Sequence, residues 1–178
     1  MAKPPVNLAK SVKDRLLNLA RAEGKVFDVV LVRFALERLL YRLSLSAHRD
    51  RFVLKGGMLV TVWLDDDNRV TRDADFLGHG DADADRLVAD FKEIMSVDVD
   101  DGLVFDIDNL SATAIREEME YGGTRLKTVA YLEKTRIPIT IDIGFGDLEL
   151  SSWALDYQRL HHAELQILAD TTVAIPAL

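Results

Sequence analysis

The order in which two hydrophobic periods follow one another along the chain limits its fold more than any other feature. Residues 8–24 (LAKSVKDRLLNLARAEG) place Leu8, Val12, Leu16, Leu17 and Ala20 on one helical face, with Gly24 as a stop. Residues 27–45 (FDVVLVRFALERLLYRLSL) predict a second, longer helix, with Arg33, Glu37, Arg38 and Arg42 interleaved among its apolar positions. Beyond these the runs shorten. FVL at 52–54 predicts a strand entering Lys55-Gly56-Gly57, after which MLVTVWL restarts a helix. DADFL (73–77) alternates as a strand, and residues 83–95 predict an amphipathic helix. LVFDIDNLSATAI, TRLKTVAYLEKT and RIPITIDIGFG predict three more strands. A turn around Lys134 to Pro138 makes the last two an antiparallel hairpin. Helices, then strand–turn–helix, then strands, predict an α+β domain with a mixed sheet and N-terminal helices packed on it.

A length of 178 residues suits one domain. Its expected parts are N-terminal helices (1–50), a core sheet (51–148) and a tail (149–178). No run approaches the eighteen or so apolar residues of a membrane span, and MAKPPVNLAK lacks an apolar signal region, so a cytoplasmic setting is the expectation. The absence of cysteine excludes disulfides, thiolate metal sites and cysteine nucleophiles.

The net charge of −8 conceals an asymmetry. Residues 1–72 carry 14 Lys and Arg against 8 Asp and Glu, a balance of +6, whereas residues 73–178 carry 8 against 22, a balance of −14. The basic portion suits a phosphate backbone or, more plainly, a solvated helical face or a surface pairing with the acidic part of the same molecule.

The chemistry suggested by the sequence lies in its carboxylates. Side chains at i and i+2 of a strand share a face, so Asp73 and Asp75 project together. Two neighbouring carboxylates repel unless a cation lies between them. Asp142 sits between Ile141 and Ile143 in an apolar strand and needs a partner if buried. One divalent ion would satisfy all three, and Mg²⁺ is the natural candidate because it takes a few carboxylates plus substrate phosphates. Gly56-Gly57, between strand and helix, lets backbone amides approach a phosphate, with Lys55 adding a point charge. Together these describe phosphoryl or nucleotidyl transfer. Singly, each has a plainer explanation: a turn, a solvated acidic edge, or an ion pair of Asp142 with Arg136 or another base in its own hairpin.

The segments FVLKGGMLVTVW, RVTRDADFLG and RIPITIDIGFGD, in that order, closely resemble the AbiEii-type nucleotidyltransferase toxins of type IV toxin–antitoxin and abortive-infection systems. The resemblance runs from about residue 28 to 148 and implies a polymerase-β-like nucleotidyltransferase core. It assigns Gly56 and Gly57 to the turn that contacts a nucleoside triphosphate, Asp73 and Asp75 to the metal-binding pair, and Asp142 to the third carboxylate. Arg69 and Thr71 match the Arg-x-Thr run ahead of that pair. It further implies Mg²⁺, a tRNA acceptor and a cognate DNA-binding antitoxin. Gly57 stands where the family commonly has serine, so a hydroxyl contact to phosphate is missing. The family's C-terminal helical part, with its lysine and aspartate motif, is expected to be absent. That makes a catalytically incomplete nucleotide- or antitoxin-binding protein the alternative to a transferase.

Arg125 and Lys127 share a strand face and suit either a triphosphate or RNA end, or acids such as Glu133 and Asp147. A metal-dependent nuclease also suits three carboxylates, but it needs no triphosphate cradle. Adjacent His161 and His162 diverge on a helix, and Ser44, Ser46 and Ser111 show no His–Asp partners. Trp63 and Trp153 read as packing residues, and Tyr121-Gly122-Gly123-Thr124 as a hairpin turn.

Overall fold

A computed structural model describes residues 7–58, 72–115 and 123–145. Helix α1 (Leu8–Glu23) starts where the Asn7 side chain accepts a hydrogen bond from the Lys10 amide at 2.9 Å. It ends in a Schellman turn. Gly24 adopts φ +66°, its amide donates to the Arg21 carbonyl, and the Lys25 amide donates to that of Ala20. Val12, Leu16 and Ala20 form its buried stripe, as the 3.6-residue period predicts.

Helix α2 (Phe27–Leu45) is buried nearly all round, from Val30 through Phe34, Leu36 and Leu39 to Leu43. It is the central helix, in contact with α1, with the later helix α3 (Ala84–Met95) and with the sheet. The Asp83 side chain caps α3 by accepting from the Arg86 amide. Phe91 of α3 packs against Phe52 and Phe76, with ring centroids 4.9 and 6.1 Å away.

The strands are β1 (Phe52–Lys55), β2 (Ala74–Gly78), β3 (Leu103–Phe105), β4 (Ser111–Ile115), β5 (Gly123–Leu132) and β6 (Thr135–Gly144). They form one mixed sheet in the order β1-β2-β6-β5-β3, with β4 also paired to β5. β2 and β6 are parallel, and every other pair is antiparallel. The α+β reading and the mixed sheet therefore hold. In β6 the residues facing the helices, Ile137, Ile139, Ile141 and Ile143, are buried, while their neighbours on the other face are not.

Three local expectations change. The β5–β6 turn is at Glu133 and Lys134 rather than around Lys134 to Pro138, and Glu133 takes a positive φ of 56° there. LVFDIDNLSATAI forms two strands, because the chain leaves β5 after Phe105 and rejoins it at Ser111. Asp73 lies one residue before β2, at a bend. The helix expected from MLVTVWL lies largely outside the described residues, as do Trp63, Trp153, Tyr121, Gly122, Asp147 and His161-His162.

Some of the basic residues of the N-terminal portion pair with acids of the later portion. Lys13 pairs with Glu133 at 3.4 Å, His48 lies 2.8 Å from Glu93, and Arg51 pairs with Asp90. Arg38 and Arg42, one turn apart on α2, both reach the buried Asp101. Sequence reading missed this pair, although two arginines at i, i+4 inside an apolar helical face are a usable signal of a buried carboxylate partner.

Candidate active site

Strand register gathers the site on the sheet face away from the helices. Lys55 of β1 lies opposite Asp75 of β2, Asp75 beside Asp142 of β6, Asp142 opposite Arg125 of β5, and Arg125 opposite Thr113 of β4. Facing residues of adjacent strands point the same way, so the five side chains form one row across the sheet. Asp73 joins the row from the entry of β2. Asp73, Asp75 and Asp142 each offer a carboxylate oxygen, and these lie within 4.8 Å of one another.

That concentration of negative charge is incompletely neutralised. Asp75 is held above the ordinary carboxylate value, first by burial and then by the charges of Asp73 and Asp142, with Lys55 and Arg125 pulling the other way. All three groups are half-buried, so a cation reaches them from solvent. The donor set, carboxylate oxygens only and no imidazole or thiolate, fits a hard divalent ion such as Mg²⁺.

The turn after β1 is built around the same carboxylate. Gly56 has φ +71°, and a Cβ there would lie 2.9 Å from Asp75 Cγ and closer still to its Oδ2. Only glycine combines this backbone with that approach. Residues 56–58 begin a helical segment directly off β1, with Gly57 half-buried and Met58 buried. The Lys55 ammonium lies over Gly144, where an added Cβ would meet Nζ at 3.2 Å. A Gly56→Ala variant is expected to displace the Asp75 carboxylate and weaken divalent-ion binding by roughly tenfold or more, one hydrogen-bond-sized interaction being worth about that much. Calorimetric titration with Mn²⁺ reads it.

Asp142 does not pair with Arg136, which faces Tyr131 nearer the hairpin turn. It accepts from Arg125 instead, Nε to Oδ1 at 2.7 Å and Nη2 to Oδ2 at 2.6 Å. The Asp142 carboxylate raises the Arg125 guanidinium further above its ordinary value. Lys127 is exposed two residues along the same strand face, between Thr140 and Ser111 in register, and stands apart from the acidic row. Arg69 and Thr71 lie outside the described residues.

A mixed sheet carrying an acidic pair at the entry of one strand, and a third aspartate on its parallel neighbour, has the architecture of a nucleotidyltransferase-like domain. A family model described as "Nucleotidyl transferase AbiEii toxin, Type IV TA system" matches residues 38–169, and the chain belongs to that family. No curated protein matches the chain. Among the described residues, no helix is long and apolar enough to cross a membrane.

Proposed function

We propose that the chain is a Mg²⁺-dependent nucleotidyltransferase toxin, moving a nucleotide from a nucleoside triphosphate to an RNA acceptor, with tRNA as the acceptor. The observation that carries this reading is the gathering of three carboxylates within 4.8 Å beside the glycine turn that opens a helix. Asp73 and Asp75 hold Mg²⁺, and Asp142 completes the set. The bound ion would neutralise the triphosphate and favour ionisation of the acceptor hydroxyl.

The chain's own groups do the rest. Gly56 and Gly57 present backbone amides to the phosphates, and Lys55 adds its ammonium from the neighbouring strand end. Arg69 and Thr71, ahead of the acidic pair in sequence, are assigned to nucleotide binding by the family resemblance alone. Lys127 lies farther along the open face, where the triphosphate tail or the acceptor passes. The acceptor's 3′ oxygen bonds to the α-phosphorus as the α–β phosphoanhydride bond breaks. Pyrophosphate leaves, and the hydroxyl proton passes to Asp142. The whole chain works as one domain in the cytoplasm, opposed by a cognate DNA-binding antitoxin.

Incubation of the protein with each labelled nucleoside triphosphate, Mg²⁺ and total tRNA tests the reading. Labelled RNA from one preferred nucleotide is expected. No label from any of the four overturns the transferase reading, and nucleotide binding detected by calorimetry in that case identifies a binding protein instead.

A further inference from the structure

Arg125 occupies an odd position for a group that only holds the fold together. It sits on the solvent-facing side of the sheet, its side chain is 40% exposed, and it neutralises the one carboxylate of the site that is flanked by buried isoleucines. Its Nε and Nη2 both go to Asp142, whereas Nη1 makes no hydrogen bond among the described residues. That third nitrogen carries two N–H donors and belongs to the fork geometry suited to phosphate.

Asp142 is correspondingly compromised. Both its oxygens already accept from a cation, and a carboxylate so engaged has part of its lone-pair capacity committed and its charge offset. Asp75, beside it in register, has no such bidentate partner among the described residues. The row therefore runs cation, anion, anion, cation, from Lys55 through Asp75 and Asp142 to Arg125, with Asp73 as the additional negative charge. In the free protein, Arg125 stands where positive charge is needed.

We propose that Arg125 is an exchangeable counter-charge: it clamps Asp142 in the free protein and turns to a phosphate of the incoming nucleotide, freeing Asp142 for the cation. The inference rests on the metal–triphosphate reading of the site. It assigns Arg125 two opposed effects. Its charge weakens the binding of a divalent ion alone, and it strengthens the binding of a triphosphate. A residue that merely braces the hairpin would weaken both when removed.

The test uses Arg125→Ala and Arg125→Lys, with Mn²⁺ as the probe ion and ATP, GTP, CTP and UTP as the probe nucleotides, in calorimetric titrations of the full chain. Arg125→Ala is expected to bind Mn²⁺ without nucleotide roughly tenfold more tightly, the removed charge lying beside the site. The same variant is expected to bind the preferred triphosphate, with Mn²⁺ present, roughly tenfold more weakly, as loss of a charge-assisted hydrogen bond implies. Arg125→Lys keeps the charge without the fork, so Mn²⁺ affinity stays within about twofold of the wild type while triphosphate affinity still falls. Unchanged or weaker Mn²⁺ binding by Arg125→Ala overturns the proposal. If Arg125→Ala unfolds, Arg125→Lys decides it, because undiminished triphosphate binding by that variant overturns it equally. Wild-type protein that binds Mn²⁺ and triphosphate, with neither variant showing the split, refutes the exchange alone. Protein that binds neither, in wild type or variants, refutes the metal–triphosphate reading with it.

Discussion

Asp75→Asn is expected to cut the proposed nucleotide transfer about a thousandfold and at the same time to raise the melting temperature of the metal-free protein. Removing the central carboxylate costs several kcal/mol of metal-borne charge stabilisation in the transition state, which is a loss of about a thousandfold in rate. The gain in stability has its origin in the same carboxylate. Asp75 is half-buried and faces two other acids, so its folded form holds a proton more tightly than the unfolded chain does. Its contribution therefore favours the folded state at low pH. That contribution is lost as pH rises, starting from the ordinary value of 3.8 and ending once the raised value has been passed. Asparagine carries no charge to repel. At pH 8 in a chelator, Asp75→Asn is therefore expected to melt above the wild type, by a margin that solvent screening of the half-buried group keeps small. Added Mg²⁺ reverses the order by stabilising only the wild type. Thermal melts at pH 5 and pH 8, with and without Mg²⁺, check all three statements, and equal melts at pH 8 in chelator would remove the charge argument.

Asp101→Ala is expected to be the most damaging single change to the fold. Asp101 is 1% exposed and accepts from Arg38 Nε at 3.0 Å, from Arg42 Nη1 and Nη2 at 2.7 and 3.1 Å, and from the Leu103 amide at 2.9 Å. Arg42 also donates to the Leu103 carbonyl and lies 5.1 Å from the Phe105 ring centroid, which ties α2 to β3. Alanine takes the carboxylate from between two buried guanidinium groups. Breaking a buried pair in this way costs about 3–5 kcal/mol, which lowers the melting temperature by roughly 6–20 °C. Asp101→Asn keeps hydrogen bonding without the charge and falls between. The triple change Arg38→Met, Arg42→Met, Asp101→Leu recovers most of the loss, since an apolar replacement of similar volume is often close to neutral. Circular dichroism melts of the four proteins check the series. A triple variant as unstable as Asp101→Ala would show that the arginines pack rather than pair.

Much of this was legible in the sequence, and the missing part has a physical pattern. The helices at 8–23 and 27–45 emerge from a 3.6-residue period and a glycine stop, both local signals. The i, i+2 spacing points to Asp73 and Asp75 together, but only Asp75 is in the strand, and Asp73 reaches the same cluster from a bend one residue before β2. The pairing of Asp75 with Asp142 is different, because parallel strands far apart in sequence leave no local trace of their register. Arg125 was within reach. Counting outward from a turn at Glu133 and Lys134 puts Arg125 opposite Asp142, whereas a turn placed at 134–138 shifts the partner. The positive φ at Glu133 explains the difficulty, since glutamate is not a residue that marks such a turn.

The parallel pairing of β2 with β6 also sets a timetable. During synthesis the chain appears from its N-terminus at about 5–20 residues per second, and α2 with its two arginines emerges well before Asp101 can meet them. Asp75 waits longer for Asp142, since β6 is the last of the described strands and must slot between β2 and β5. A nascent chain halted before residue 135 therefore has the glycine turn and two of its acids but no third carboxylate beside them. The three carboxylates of the row therefore come together only once the last described strand has entered the sheet.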